Sequence, residues 1–206
     1  MFEKDEALLH DTSPHSPHNI IPGFIKPGTT LLDVGCNTGN LGKILKKKKV
    51  ICDGIDINPD FLKKAKRYYR HLFLRDLFNP KLNLEPKLQY DFIVLSDILE
   101  HLPRPDLLLI ELKKYLKPDG QMIVSLPNVA RFEIRLKLLA GKFDYSPGIL
   151  SPDHLRFFTR ESAHQMFKNC DMSVKSTSPT GLGHKIKVLP TLTAFQFIYI
   201  LVLFSL

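Results

Sequence analysis

The chain alternates between short apolar runs and longer stretches in which apolar residues recur every three or four positions. The runs are continuous, which indicates strands buried on both faces of a parallel sheet, and the recurring stretches indicate amphipathic helices. Six strands are predicted at 31–34, 50–56, 71–75, 91–95, 121–126 and 172–177. Helices are predicted at 41–49, 60–69, 106–116 and 160–169, with Asp60 as the cap of the second of them.

A glycine turn separates the first strand from the first helix. Gly35 and Gly39 interrupt the apolar run, and such a turn brings bare backbone close to a ligand. The second strand ends at Asp56, about 20 residues after the turn, where a carboxylate can accept hydrogen bonds from both hydroxyls of a ribose. The pattern therefore predicts a nucleotide-cofactor site.

The spacing of the glycines decides between cofactors. A dinucleotide fingerprint, G-x-G-x-x-G, requires glycine at the positions of Asn37 and Asn40, so the fit is poor. Read as G-x-G-x-G, the turn lacks only the middle glycine. Its replacement, Asn37, tolerates a left-handed backbone.

Three motifs in order resemble class I S-adenosylmethionine-dependent methyltransferases. Residues 31–39 resemble motif I, residues 56–59 the acidic second motif, and residues 90–102 the fourth strand with its D-x-L-E-H-L segment. The segment H-L-R-F-F-T at 154–159 resembles a segment found in the branch of this family that includes ubiquinone-biosynthesis methyltransferases. The resemblance covers roughly residues 28 to 175.

The resemblance implies a doubly wound, seven-stranded Rossmann-like α/β sheet whose last strand is antiparallel. It divides the chain into an N-terminal helical lid at 1–27, with a short helix at 18–25, and an S-adenosylmethionine-binding domain at 28–206. A substrate-lid insertion is expected at about 129–158, with a helix from Val129 to about Leu139 at its start. The seventh strand is expected at 195–202. The alternative for the uncharged stretch 188–206 is a membrane anchor, which would place the tail in contact with a bilayer.

The resemblance also implies the cofactor-binding residues. Asp76 is expected to accept a hydrogen bond from the adenine amino group, with Leu77 beside the ring; the alternative is that Asp76 merely opens the turn at Asn79. The full set carried over from the family is Asp33, Gly35, Cys36, Asn37, Gly39, Asp56, Ile57, Asp76, Leu77, Ser96 and Asp97.

Candidate catalytic residues follow the fourth strand. Asp97 and His101 are four residues apart, so on a helix they would share a face, and the carboxylate would orient the imidazole and raise its pKa. His101 is the predicted general base, with a structural helix cap as the alternative. His154 faces either the substrate or the core. Arg156 either pairs with a carboxylate or binds a substrate anion.

Composition narrows the remaining classes. The 206 residues carry a formal charge of +8, largely in lysines on predicted outer helix faces, which indicates solvated surfaces; the alternative is a surface for nucleic acid or anionic lipid. Three widely spaced cysteines suit a reducing cytoplasm. His10, His15 and His18 lack acidic or cysteine partners, so no metal site is predicted.

The acceptor is bounded by what the motifs lack. The chain lacks the N-P-P-Y-like tetrapeptide of enzymes that methylate exocyclic amines of nucleobases, and it lacks a nucleophilic cysteine near the site, which cytosine C5 methylation requires. It also lacks the glutamate pair of protein-arginine enzymes. Nucleobase and protein-arginine acceptors are therefore disfavoured. A small-molecule, lipid or sugar acceptor with an O, N or C nucleophile remains. A non-catalytic S-adenosylmethionine-binding protein and a nicotinamide-dependent oxidoreductase are the alternative functions.

Overall fold

The computed structural model describes residues 16–85, 87–181 and 189–204. Seven strands form one mixed sheet in the order β3-β2-β1-β4-β5-β7-β6. The strands are β1 Thr30–Val34, β2 Ile51–Asp56, β3 Leu72–Leu74, β4 Tyr90–Ser96, β5 Leu116–Pro127, β6 Met172–Pro179 and β7 Gln196–Leu203. The predicted fold class, including the antiparallel last strand, is confirmed.

The order of the strands reverses beside β1. Chain order runs from β1 outward to β3 on one side, and β4 pairs with the other side of β1 in parallel. In doubly wound sheets, ligands bind outside the carboxyl ends of the strands at such a switch point. The carboxyl end of β1 is Val34, so the glycine turn lies at that point.

Strand β7 explains the uncharged C-terminal stretch. It lies between β5 and β6 and runs antiparallel to both. The side chains from Gln196 to Leu201 are buried, so the stretch needs apolar residues on both faces. The predicted strand is therefore correct, and the membrane-anchor alternative for these residues is wrong. Among the described residues, no helix has the length and apolar character needed to span a bilayer.

Helices cover both faces of the sheet. They are α1 Pro17–Phe24, α2 Asn40–Lys46, α3 Pro59–Ala65, α4 Pro105–Lys113, α5 Phe132–Leu139, α6 Arg160–Asn169 and α7 Pro190–Thr193. Ile21 and Ile25, in and just after α1, are buried in the same cluster as Leu45 of α2 and Ile198 of β7. The first helix is thus part of the core on one face.

Two helix starts differ from the prediction. The cap of α3 is Asn58 and not Asp60: the Asn58 side-chain oxygen accepts hydrogen bonds from the backbone N–H groups of Asp60 and Phe61. Pro59 fixes the first helical position, which leaves the preceding residue extended and able to cap. Asp60 instead pairs with Lys63 on the exposed surface. The helix expected from Val129 begins at Phe132.

Candidate cofactor and acceptor site

The glycine turn after β1 has the backbone that its sequence predicts. Gly35, Asn37 and Gly39 have φ values of 76°, 48° and 92°, all left-handed. Asparagine is one of the few residues with a side chain that tolerates this region, which explains Asn37 in the place of a glycine. The N–H groups of Gly35 and Cys36 both donate to the carbonyl oxygen of Ile55, at 2.8 and 2.9 Å, so the turn is fixed to β2.

Asp56 joins the glycine turn to the next helix. Its Oδ2 accepts a hydrogen bond from Asn37 N at 2.8 Å, and its Oδ1 accepts one from Asn58 N at 2.9 Å. Each carboxylate oxygen has a second lone-pair direction, so both can also accept from a ligand hydroxyl. Ile57 follows at the strand tip with 61% of its surface exposed, which offers an apolar face to a ring.

Asp33 lies beneath the turn in a fully buried position. Its carboxyl accepts a hydrogen bond from the Tyr69 hydroxyl, which in turn accepts from Gly42 N at 3.2 Å. Burial and the nearby Asp56 charge raise the pKa of Asp33 to about 7, and the Tyr69 hydrogen bond opposes this shift. The contacts of Asp33 hold the turn against α2 and the residues that follow α3.

The raised pKa of Asp33 predicts a pH-dependent stability. The folded state keeps a proton on Asp33 between about pH 4 and 7, where the unfolded state has lost it, so the free energy of unfolding falls as pH rises through this range. Asp33→Asn keeps an acceptor for Tyr69 and carries no titratable proton. Urea unfolding at pH 5 and 8 should show a smaller loss in the variant than in the wild type. If the variant lost as much unfolding free energy between pH 5 and 8 as the wild type, Asp33 would be excluded as the cause of the pH dependence.

Asp76 lies in a turn. Its Oδ1 accepts a hydrogen bond from Phe78 N at 2.9 Å, and its carbonyl oxygen accepts one from Asn79 N at 3.2 Å. The turn-opening role weighed from the sequence is therefore present. Leu77 is partly buried against the main core cluster. The adenine contact of these two residues stays a prediction.

Asp97 directly follows β4 in a strained backbone conformation. Its φ is 55°, which residues other than glycine seldom adopt. Its Oδ1 accepts hydrogen bonds from Ser125 Oγ at 2.6 Å and Gln196 Nε2 at 2.7 Å, and its N–H donates to Ser125 Oγ at 2.9 Å. Ser96 lies beside this network, 3.4 Å from Ser125 Oγ. These bonds hold the residue in the left-handed region.

The helical pairing expected for Asp97 and His101 is wrong. Asp97 is left-handed, and only Leu99–His101 forms a single 3₁₀ turn, so the two residues do not share a helix face. The His101 ring instead contacts Asp153, with Nδ1 3.1 Å from the carbonyl oxygen and 3.5 Å from Oδ2. Hydrogen bonds to residues distant in the chain override the local spacing.

His101 and His154 form a pair beyond the carboxyl end of β4. Their ring centroids are 4.8 Å apart with nearly perpendicular planes. Nδ1 of His154 lies 2.9 Å from the carbonyl oxygen of Ile149, and Nδ1 of His101 lies 3.1 Å from that of Asp153. A carbonyl oxygen only accepts, so Nδ1 of each ring carries a proton and Nε2 of the neutral ring is the basic nitrogen.

Glu100 lies behind this pair. A carboxyl oxygen of Glu100 and one ring nitrogen of each histidine lie within 4.8 Å of one another. Glu100 is buried, with 1% of its surface exposed. Neither carboxyl oxygen has a hydrogen-bond partner in the described part of the chain. Burial, with smaller contributions from Asp97 and Asp153, raises the pKa of Glu100 well above its ordinary value. Burial thus favours the protonated, neutral form of this carboxyl.

The main chain of Glu100 fixes the predicted lid. Its carbonyl oxygen accepts hydrogen bonds from Leu155 N at 2.8 Å and Arg156 N at 3.0 Å. Arg156 also donates from its guanidinium to the carbonyl oxygen of Pro103. The H-L-R-F-F-T segment is thus tied to the turn that carries His101, which explains how two segments about 50 residues apart meet.

A separate cavity lies beyond the carboxyl end of β5. It has a volume of about 420 Å³ and is lined by Ala130, Arg135, Thr159, Arg160, Glu161, His164 and Thr191. Burial and the Arg160 charge lower the pKa of His164. None of the predicted site residues lines this cavity.

Sequence reasoning missed the residues that position the predicted ones. Ser125 and Gln196 bind Asp97, and Asn128 ties the end of β5 to α7 by donating to the carbonyl oxygens of Thr191 and Ala194. Ser125 and Asn128 are each at most 1% exposed, and Gln196 is 7% exposed. The available signal was a polar residue inside or just after an apolar strand. Of the three histidines considered as metal ligands, His10 and His15 lie outside the described residues.

The fold and the glycine turn together define a class of protein. A glycine turn at the switch point, with an acidic residue at the tip of the next strand, is the architecture of a nucleotide-cofactor-binding α/β protein. The profile of a methyltransferase domain family matches residues 8–176. The chain belongs to this family.

Relatives of established name are similar along most of the chain. A ubiquinone biosynthesis O-methyltransferase of Pseudomonas savastanoi pv. phaseolicola is 26% identical over 213 residues, which cover 91% of this chain and 89% of the relative. The ubiquinone biosynthesis O-methyltransferase of Xylella fastidiosa (strain M23) is 30% identical over 144 residues, which cover 66% of this chain and 56% of the relative.

Solved structures share the fold. An S-adenosylmethionine-dependent methyltransferase from Archaeoglobus fulgidus matches with a TM-score of 0.68 and 16% identity, covering 96% of this chain and 99% of that one. Magnesium protoporphyrin IX methyltransferase from Synechocystis PCC 6803, solved with S-adenosylhomocysteine, matches with a TM-score of 0.62 and 18% identity, covering 89% and 78%. At these identities the likeness concerns the fold.

The predicted class is confirmed by the family. The protein is an S-adenosylmethionine-dependent methyltransferase of class I, and S-adenosylmethionine is its methyl donor. The nicotinamide-dependent oxidoreductase and the non-catalytic binding protein are therefore set aside.

Proposed function

We propose that the protein transfers a methyl group to a hydroxyl oxygen of a small-molecule or lipid acceptor. The observation that carries this proposal is the His101–His154 pair beyond the carboxyl end of β4, with Nε2 of each ring as the basic nitrogen. The curated relatives above are named O-methyltransferases, which supports oxygen as the nucleophile.

The cofactor would bind along the carboxyl ends of β1, β2 and β4. Both oxygens of Asp56 would accept from the ribose hydroxyls, and the exposed Ile57 would contact the adenine ring. Gly35, Cys36, Asn37 and Gly39 would present backbone to the sulfonium side, with Ser96 and Asp97 on the other. The contacts of Asp97 support this placement. Ser125 and Gln196 both donate to its Oδ1, whereas no described residue donates to its Oδ2, which could therefore accept a hydrogen bond from the cofactor.

His101 acts in this proposal as the general base. A methyl sulfonium supplies an electrophilic methyl group, so the remaining demand is to orient the acceptor and to remove its proton. A phenolic hydroxyl has a pKa near 10, so it needs a base at neutral pH. Nε2 of His101 takes this proton, and His154, at right angles to it, fixes the ring and contacts the acceptor.

The predicted segments have roles in the same proposal. The insertion at 129–158 covers the acceptor, since its C-terminal part is hydrogen-bonded to Glu100. Of the predicted N-terminal lid, residues 1–15 lie outside the described part of the chain. Residues 16–27, with α1 packed on the sheet, cover the cofactor edge in this proposal. We place the enzyme in the cytoplasm, because its three cysteines are free and buried, as in a reducing compartment.

The proposal is tested by binding and by turnover. Calorimetric titration should show micromolar binding of S-adenosylhomocysteine and no signal with NAD. Labelled S-adenosylmethionine should then transfer its methyl group to members of a panel of phenols and catechols, and not to the matched anilines. Transfer to the anilines alone would overturn the hydroxyl acceptor while leaving the methyltransferase class intact.

A further inference from the structure

Helix α5 carries an apolar surface that faces outward. Phe132, Leu136 and Leu139 lie at positions i, i+4 and i+7, within about 60° of one another on a helix of 3.6 residues per turn. Ile134, the buried residue of the helix, lies on the opposite side. The stripe that faces away from the core is therefore apolar, whereas the outer face of a helix in a globular protein is ordinarily polar.

The apolar surface continues past the end of the helix. Leu139 is 84% exposed, and Leu136, Tyr145 and Phe143 are 60%, 59% and 47% exposed. Six of the fifteen large hydrophobic residues that are exposed in the described structure lie in this short region, which we call the α5 patch: Phe132, Leu136, Leu138, Leu139, Phe143 and Tyr145. Such a concentration marks an interaction surface.

Cations border the α5 patch. Arg135 lies next to the apolar stripe on the helix and donates a hydrogen bond to the carbonyl oxygen of Ala130. Lys137 lies farther round the helix, beyond Glu133, and Lys142 lies just past the end of the helix. Glu133 is paired with Arg131, which leaves Asp144 as the other acidic residue of the region. Among the residues that the structure describes, neither Lys137 nor Lys142 forms an ion pair. Positive charge is thus interleaved with exposed leucine and aromatic side chains.

We propose that the α5 patch docks the enzyme on an anionic lipid bilayer. Leucine and aromatic side chains on one face, with lysine and arginine at its border, are what an interfacial amphipathic helix presents to a bilayer. Lysine aliphatic chains extend along the apolar surface and keep their charges at the head groups. The cores of protein–protein interfaces are depleted in lysine, which favours the bilayer over a second copy of the chain.

The position of the α5 patch suits this role. Helix α5 follows the carboxyl end of β5, the sheet edge where the methyl donor and the acceptor are proposed to meet. Docking there would hold that edge beside the bilayer. This contact differs from the one that the membrane-anchor alternative would have given to the C-terminal tail, whose strand is buried in the sheet. It does not depend on which acceptor the enzyme uses.

Vesicle co-sedimentation of the full chain tests the proposal. Vesicles of phosphatidylcholine mixed with phosphatidylglycerol should bind the protein, and vesicles of phosphatidylcholine alone should bind it much more weakly. The double variant Leu136→Ser/Leu139→Ser should lower the partition coefficient by about tenfold or more, because each leucine loses several buried methylene equivalents. Lys137→Glu/Lys142→Glu should lower it to a similar extent and remove most of its dependence on salt.

Matched controls separate the patch from general properties of the protein. Ile110→Ser removes a 42% exposed isoleucine from α4, and Lys43→Glu/Lys66→Glu makes the same change of net charge elsewhere. Both should bind mixed vesicles nearly as the wild type does. Unchanged S-adenosylhomocysteine binding in every variant verifies the fold. Equal losses in patch and control variants would overturn the proposal, as would a concentration-dependent dimer that the leucine variant abolishes without any vesicle binding.

Discussion

Asp56→Ala should weaken the binding of S-adenosylhomocysteine by about 100-fold or more, because hydrogen bonds to a charged group contribute roughly 1.5–3 kcal/mol each and two ribose hydroxyls would lose their acceptor. The variant also removes the acceptor of Asn37 N and Asn58 N, so the glycine turn loses its link to α3. Calorimetric titration of the purified protein measures the change in affinity.

Two further variants make the Asp56 result specific. Asp60→Ala removes a fully exposed carboxylate four residues away and should leave the affinity unchanged. Asp56→Asn keeps the shape and one acceptor oxygen, so it should fall between the wild type and the alanine variant. An affinity that survives in Asp56→Ala would remove Asp56 from the cofactor site, provided that the thermal unfolding of the variant shows a folded protein.

His101→Ala should lower kcat by about 10²–10⁴-fold, the range over which a positioned acid or base contributes. The affinity for S-adenosylhomocysteine should stay near that of the wild type, because His101 acts on the acceptor. The measurement is turnover against pH with a phenolic acceptor. The rate of the wild type should fall at acidic pH as the base is protonated, and the variant should lose this dependence.

Other histidines supply the controls for His101. His71→Gln changes a half-exposed histidine just before β3, at the amino ends of the strands and away from the proposed site. This variant should leave the pH profile intact. His154→Gln distinguishes the two members of the pair. If the acid limb disappears in His154→Gln and persists in His101→Ala, the base is His154 and our assignment is wrong.

Glu100→Gln tests whether the buried carboxyl acts as a neutral group. Burial raises its pKa well above the ordinary range and so favours the neutral carboxyl, and we expect an amide of the same size to substitute with little loss of turnover. A severe loss of turnover with intact cofactor binding would instead mean that Glu100 ionises during the reaction.

The central strands were accessible from the sequence because they are apolar runs that are buried on both faces of the sheet. The edge strands β3 and β6 are only partly buried. Continuous runs such as 91–95 lie in the middle of the sheet, and even the uncharged stretch at 196–203 could be recognised once six other strands required a partner. The glycine turn was equally accessible, since left-handed positions restrict the residue type and Asn37 satisfies that restriction.

The segment after β4 was not accessible, for a reason visible in Asp97. Its left-handed backbone is held by Ser125 and Gln196, which are 28 and 99 residues away along the chain. Periodicity describes neighbours within one or two turns of a helix, so it cannot register such bonds. The same limit applies to Asp153, the partner of His101, and to the carbonyl oxygen of Glu100 that fixes the lid.

The place of β7 in the sheet has a consequence for folding. In the described structure, the edge strand β6 pairs with β7 alone. Strand β7 also contains Gln196, whose side chain donates a hydrogen bond to Asp97. Residues 172–179 thus cannot join the sheet, and the loop after β4 cannot reach its final conformation, until residues 196–203 have been synthesised. Pairings between strands that are distant in sequence form slowly, because the chain loses the entropy of closing the loop before the new contacts stabilise it. Assembly of the acceptor side of the site is therefore expected among the last steps of folding.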